Sequence, residues 1–238
     1  MIESILAPAD AGRLAATLAK LRSAGLTGAA VTGGIAIASK LARTAAHPGL
    51  RRLNDLDLVV ADAGAIPASL ATAFLLSHVH LDALPGRMLV QVIDPNTALR
   101  VDIFREFVGQ LTRSTPVLFR GHDAIVVASG DLVARLTALL LDLEYGEPVQ
   151  AKHARDLSVL MEHADAMAAR AAWPNHRRAR HPASFDEAHC KVAELIRSRA
   201  DLLVEPCYSA ALPCPKCRDF GVLRVAPPEA IVNVLGYR

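Results

Sequence analysis

Apolar residues along this 238-residue chain recur with two periods, and the switches between them mark the predicted elements. Leu14, Leu18 and Leu21 form one helical stripe, so a helix is predicted over Ala11–Ser23, with Asp10 as N-cap and Gly25 as its stop. Thr27–Thr32 is a short strand of small residues running into Gly33-Gly34, and Ile35–Ala45 reads as helix until His47-Pro48-Gly49 breaks it. Asp55–Val60 alternates as a strand, and Pro67 opens a predicted helix to about His78. Met88–Ile93 and Leu99–Phe104 predict a β-hairpin across Asp94-Pro95-Asn96-Thr97. An arginine-rich loop, Arg113–Arg120, then leads to a strand at Ala124–Ala128. From Gly130 onward the pattern is helical: Leu132–Leu143 behind an Asp131 cap, Val149–His163 after Gly146-Glu147-Pro148, and Phe185–Arg199 behind a Ser184/Glu187 capping box. A basic linker, Trp173–Pro182, separates the last two.

This order predicts an α/β (α+β) unit, a small mixed sheet with flanking helices, over residues 1–128. A helical domain over 129–200 and a Cys-rich tail over 201–238 follow, the tail closing near a short helix at Pro228–Val234. Apolar residues make up 52% of the chain, enough for a sizeable core. The net charge of +2 gives no global basic field to attract nucleic acid, so any such contact must be local. No apolar run is long enough to span a bilayer and the N-terminus lacks a leader pattern, so a cytoplasmic protein with no membrane partner is expected.

Candidate chemistry concentrates in Ala29–Val60. In an extended strand alternate side chains share a face, so Asp55 and Asp57 point one way and Leu56, Leu58 and Val60 the other. Two adjacent carboxylates repel unless a cation or proton lies between them. Mg²⁺ suits such a pair, because it takes one or two carboxylates together with substrate phosphates. Gly33-Gly34 permits close approach of the backbone to a ligand and opens a helix whose first N–H groups favour anions. An acid pair and a phosphate cradle joined by one helix point to a nucleoside triphosphate (NTP). In Val101-Asp102-Ile103-Phe104 alternation buries Val101 and Ile103 and turns Asp102 the other way.

Gly-Gly after a strand, a helix, Asp-x-Asp on the next strand and a third acid on a later one together resemble the nucleotidyltransferase fold of the DNA polymerase β-like superfamily. The nearest group is that of the AbiEii-type toxin nucleotidyltransferases, and the resemblance covers roughly the first two-thirds of the chain. It implies that Asp55, Asp57 and Asp102 bind Mg²⁺ and carry catalysis. It also matches Arg51 or Arg52 to a basic residue before the acid pair, and Lys152, Arg155, Asp156 and Leu157 to a Lys…Arg-Asp-Leu helix. There Lys152 would reach the phosphates with Asp156 orienting it. An intrahelical ion pair four residues apart reads the same two side chains equally well. Two departures stand out, the long gap between Gly34 and Asp55 and Asn54 before the acids.

The implied reaction is transfer of a nucleoside monophosphate (NMP) from an NTP to a hydroxyl on RNA, protein or a small molecule. An antitoxin would be a further partner if the toxin resemblance extends that far. The alternative is a nucleotide-binding module without turnover, or an interaction module built on the tail. Four cysteines, Cys190, Cys207, Cys214 and Cys217, fall in the last quarter of the chain. The Cys214-Pro-Lys-Cys217 turn resembles half of a zinc knuckle, with Cys207 as third ligand and Cys190 or His189 as fourth. Such a closed Zn²⁺ site would be structural, and the spacing favours it over four free thiols.

Overall fold

The computed structural model describes residues 5–42 and 51–204, which divide into two compact units on either side of Ala128/Ser129. In the first, the elements in order are α1 (Pro8–Ser23), β1 (Ala30–Val31), α2 (Gly33–Leu41), β2 (Asp55–Val60), α3 (Leu70–Ala73), β3 (Leu75–His80), β4 (Leu89–Ile93), β5 (Arg100–Arg105), α4 (Gln110–Arg113), β6 (Thr115–Phe119) and β7 (His122–Val126). The strands form one seven-stranded mixed sheet in the order β3-β4-β5-β2-β1-β7-β6. The two pairs β2–β5 and β1–β7 are parallel; the other four are antiparallel.

Period-two patterning explains the centre of this sheet. Leu56, Leu58, Val101, Ile103, Val90 and Val92 are all buried, while Asp55, Asp57 and Gln91, which alternate with them, are only half-buried. A one-residue slip would turn acids into the apolar layer, which pins the register. The predicted β4–β5 hairpin is present, and Asp94 closes its connection. Its buried carboxylate accepts from Thr17 Oγ1 (2.8 Å), Lys20 Nζ (2.8 Å) and the Asn96 amide (3.0 Å), tying the turn to α1. Burial alone would raise this carboxyl's pKa, but Lys20 and the surrounding donors outweigh it and hold it below the usual carboxylate range.

Two expectations are corrected. The helix predicted over Pro67–His78 is one turn, Leu70–Ala73, and the chain then extends into β3. The reason is tertiary: β4 offers an open edge, and pairing there buries Leu76 while satisfying backbone groups that a surface helix would have left at its ends. The arginine-rich loop instead contains α4 and β6, an edge strand that tolerates Pro116 and turns through Arg120-Gly121, both at positive φ (45° and 79°).

The second unit contains α5 (Ser129–Leu140), β8 (Val149–Gln150), α6 (Ala151–His163), α7 (Ala166–His176), α8 (Phe185–Ser198) and β9 (Leu203–Val204). Ser184 caps α8 by accepting the Glu187 amide at 3.3 Å. The basic linker is in part helix, since α7 runs to His176 with Pro174 inside it. Its cations serve the unit itself: Arg178 Nη1 and Arg180 Nη2 reach Asp142 at 2.5 and 2.8 Å, and Arg180 lies over the Tyr145 ring. No helix among the described residues is long and apolar enough to cross a membrane.

Candidate active site: three carboxylates under a glycine turn

Parallel pairing of β2 with β5 sets Asp57 directly opposite Asp102 and Asp55 opposite Arg100. The antiparallel β4 continues both rows, with Gln91 opposite Asp102, and His78 of β3 stands beyond Gln91. One face of the sheet thus carries a polar row, His78-Gln91-Asp102-Asp57, beside the Asp55–Arg100 pair. On the other side of β2, the Thr32 amide donates to the Asp57 carbonyl at 2.9 Å, which extends the β1–β2 ladder by one residue. That bond brings the glycine turn onto the acids.

Gly33 has φ +59°, and a Cβ built there would fall 1.9 Å from Asp57 Oδ2. Only a residue without a side chain lets the backbone lie this close to the carboxylate. The turn opens α2, whose first backbone N–H groups have no partner within the helix. Arg51, from the segment entering β2, donates through Nη1 to the Gly34 carbonyl at 3.3 Å and so belongs to the same cluster. Arg52 beside it is exposed. Ser39 donates to the Ala36 carbonyl at 2.7 Å inside α2, a structural role. Arg105 is turned to the Ala83 carbonyl.

Asp102 is the most buried of the three acids. Its Oδ1 accepts from Gln91 Nε2 at 2.9 Å, and Gln91 Oε1 in turn accepts from Ser77 Oγ at 3.0 Å, so the amide is held at both ends. Burial raises the Asp102 pKa, Arg100 and the Gln91 donor pull it back, and Asp55 adds a further upward push. The net direction is upward, which makes Asp102 a better proton acceptor than an ordinary surface carboxylate. Removing the donor in Gln91→Leu is expected to raise this pKa further. The acid limb of any activity that needs ionised Asp102 then moves to higher pH, and an unmoved limb would show that Gln91 does not tune it.

Arg100 was not singled out by motif, although Arg-x-Asp in an alternating strand places it on the acids' face. Its Nη2 lies 2.5 Å from Asp55 Oδ2, and its Nε 3.3 Å from Asp102 Oδ1 without hydrogen-bond geometry. Gln91 was likewise legible as the single polar residue between Val90 and Val92. Among the described residues no group of three or more His, Cys, Asp or Glu side chains is arranged to hold a metal ion by itself. A cavity of about 250 Å³, lined by Leu18, Leu26, Val31, Leu58 and Ile125 among others, includes the side chain next to Asp57 on β2, which points to the opposite face.

Of the remaining sequence candidates, Lys152 and Asp156 sit on α6 of the second unit, Asp156 buried and Lys152 half-buried. Cys190 on α8 is an exposed free thiol, and the neighbouring His189 ring stacks on Phe185 at 5.9 Å. Cys207, Cys214 and Cys217 lie outside the described residues, as do the helix expected at Pro228–Val234 and the His47-Pro48-Gly49 break.

No protein-family model matches the chain, and no curated protein does. Among solved structures it is similar to an antigenic nucleotidyltransferase-like protein from Paracoccidioides brasiliensis, with a TM-score of 0.46 and 14% identity over 85% of this chain and 97% of that one.

Proposed function

We propose that the first unit is a nucleotidyltransferase that moves an NMP group from an NTP to a hydroxyl, releasing pyrophosphate. The observation that carries this reading is the stacking of a side-chain-free turn onto Asp57, with Asp102 paired across the strand and Asp55 one step along it. An acid cluster needs only a cation to become a phosphate site, and a glycine turn at a helix start supplies backbone N–H groups for the anion. In the step itself the acceptor oxygen forms a bond to the α-phosphorus and the bond to the pyrophosphate oxygen breaks. The acceptor's proton goes to Asp102, whose raised pKa suits that task. Gln91 orients Asp102, and Arg51 holds the glycine turn in place through the Gly34 carbonyl.

Mg²⁺ fits the donor set, which is all carboxylate oxygen and lies at a backbone turn that no Cβ obstructs. When bound, the metal would neutralise charge on the attacking and leaving oxygens. Asp55 and Asp57 would hold it, with Asp102 beside them. A structural Zn²⁺ in the cysteine tail is a further proposal, as a staple for that segment. The resemblance to AbiEii-type toxins makes RNA or protein the first acceptor classes to try, with an antitoxin as the corresponding partner.

The test is incubation with each α-³²P-labelled NTP, Mg²⁺, and total bacterial RNA and protein, beside an Asp55→Ala/Asp57→Ala control. Label passed to a macromolecule by the wild type alone is the expected result, and it names the acceptor class. If small-molecule hydroxyl acceptors also stay unlabelled while NTP binds, the chain is a nucleotide-binding module instead.

A further inference from the structure

We propose that Arg100 is the resident cation of the acid site and competes with a divalent metal for Asp55. This rests on the reading of the acids as a metal and triphosphate site. The Arg100 guanidinium touches carboxylates on two different strands, Asp55 Oδ2 at 2.5 Å and Asp102 Oδ1 at 3.3 Å. It therefore relieves the repulsion that would otherwise act within the cluster. A divalent ion bonded to Asp55 would bring two more positive charges to an oxygen that Nη2 already occupies. Both cations draw on the same carboxylate, and the repulsion between them makes each weaken the other's hold on it.

Arg100 is built to leave. Its Nε is buried without a hydrogen bond, so only one donor is properly engaged in holding the acids. Its side chain is 42% exposed, which gives the guanidinium room to move outward. This is a loose clamp beside a tighter one: Gln91, not Arg100, makes the well-formed bond to Asp102. An incoming triphosphate offers the displaced guanidinium a better anion than the carboxylate it gave up. Metal and nucleotide then bind cooperatively, and neither binds tightly alone.

The experiment is a Mn²⁺ titration followed by electron paramagnetic resonance, with and without a non-hydrolysable NTP analogue. It is run on the full chain as wild type, Arg100→Gln and Arg100→Lys. Without nucleotide, Arg100→Gln is expected to bind Mn²⁺ about tenfold more tightly, because a unit positive charge has gone from within a few ångströms of the ion. Arg100→Lys keeps the charge but loses the fork, so it should fall between the two. The analogue should tighten Mn²⁺ binding more in the wild type than in Arg100→Gln. If Arg100→Gln fails to fold, the charge-conserving Arg100→Lys carries the comparison, and its affinity should still exceed that of the wild type. Equal or weaker Mn²⁺ binding in the folded variants overturns the role of Arg100 and leaves the transferase reading intact. No Mn²⁺ binding by any protein, with or without analogue, overturns both.

Discussion

Asp57→Asn is expected to lower NMP transfer by about a thousandfold, roughly 4 kcal/mol of barrier, while the thermal midpoint moves by only a few degrees. Asp57 is the central acid, with Asp55 two residues away on its own strand and Asp102 across the pair. The amide keeps the shape of the carboxylate and removes the charge that a cation needs. A structural carboxylate would behave in the opposite way, with activity kept and stability lost. Single-turnover kinetics at saturating Mg²⁺, read beside a melting curve, separate the two outcomes. Full activity in Asp57→Asn would remove these acids from the chemistry altogether.

Gly33→Ala should be the most damaging single-methyl change in the first unit. Its φ of +59° costs an L-residue about 1–2 kcal/mol before any contact is considered. The new Cβ would then stand 1.9 Å from Asp57 Oδ2 and 2.7 Å from its Cγ, so turn and carboxylate cannot both stay where they are. A total loss of about 3 kcal/mol, on the order of 6–12 °C in thermal midpoint, is expected, together with loss of activity. The clash and the strain are separable: in an Asp57→Gly background, with that single variant as reference, Gly33→Ala meets no side chain and costs only the strain. Recovery of about half the lost stability in that background is the expected outcome. Additive losses would show that the turn and Asp57 are not in contact.

The same close approach shows what could be read from residues alone. Alternation placed Asp55 and Asp57 on one face, because side chains on a strand have a period of two whatever the strand pairs with. It placed Asp102 opposite Val101 and Ile103 for the same reason. The Gly33-Gly34 turn was legible as a break between strand and helix, and the hairpin around Asp94 as a turn between two apolar alternations. None of these inferences needs a partner element. Arg100 and Gln91 were visible as polar positions in buried strands, but their use was not, since each acts through a residue on a neighbouring strand.

Where the reading failed, the missing quantity was a neighbour. Leu75–His80 holds residues that serve helix or strand, and the open edge of β4 decided for strand. Thr115–Phe119 looked like loop because Pro116 breaks its pattern, yet an edge strand needs only part of its hydrogen-bonding ladder. Trp173–Pro182 read only as a basic linker, whereas Arg178 and Arg180 are engaged by Asp142 and Tyr145, more than thirty residues earlier in the chain. Sequence by itself determined the faces of the strands, the turns and the inventory of charged groups, because those depend on local sterics and side-chain chemistry. Tertiary structure alone decided that Asp57 pairs with Asp102, that Gly33 lies on Asp57, and that Arg100 stands between Asp55 and Asp102. Those depend on strand order and register, which are set by how the apolar faces of distant segments bury one another.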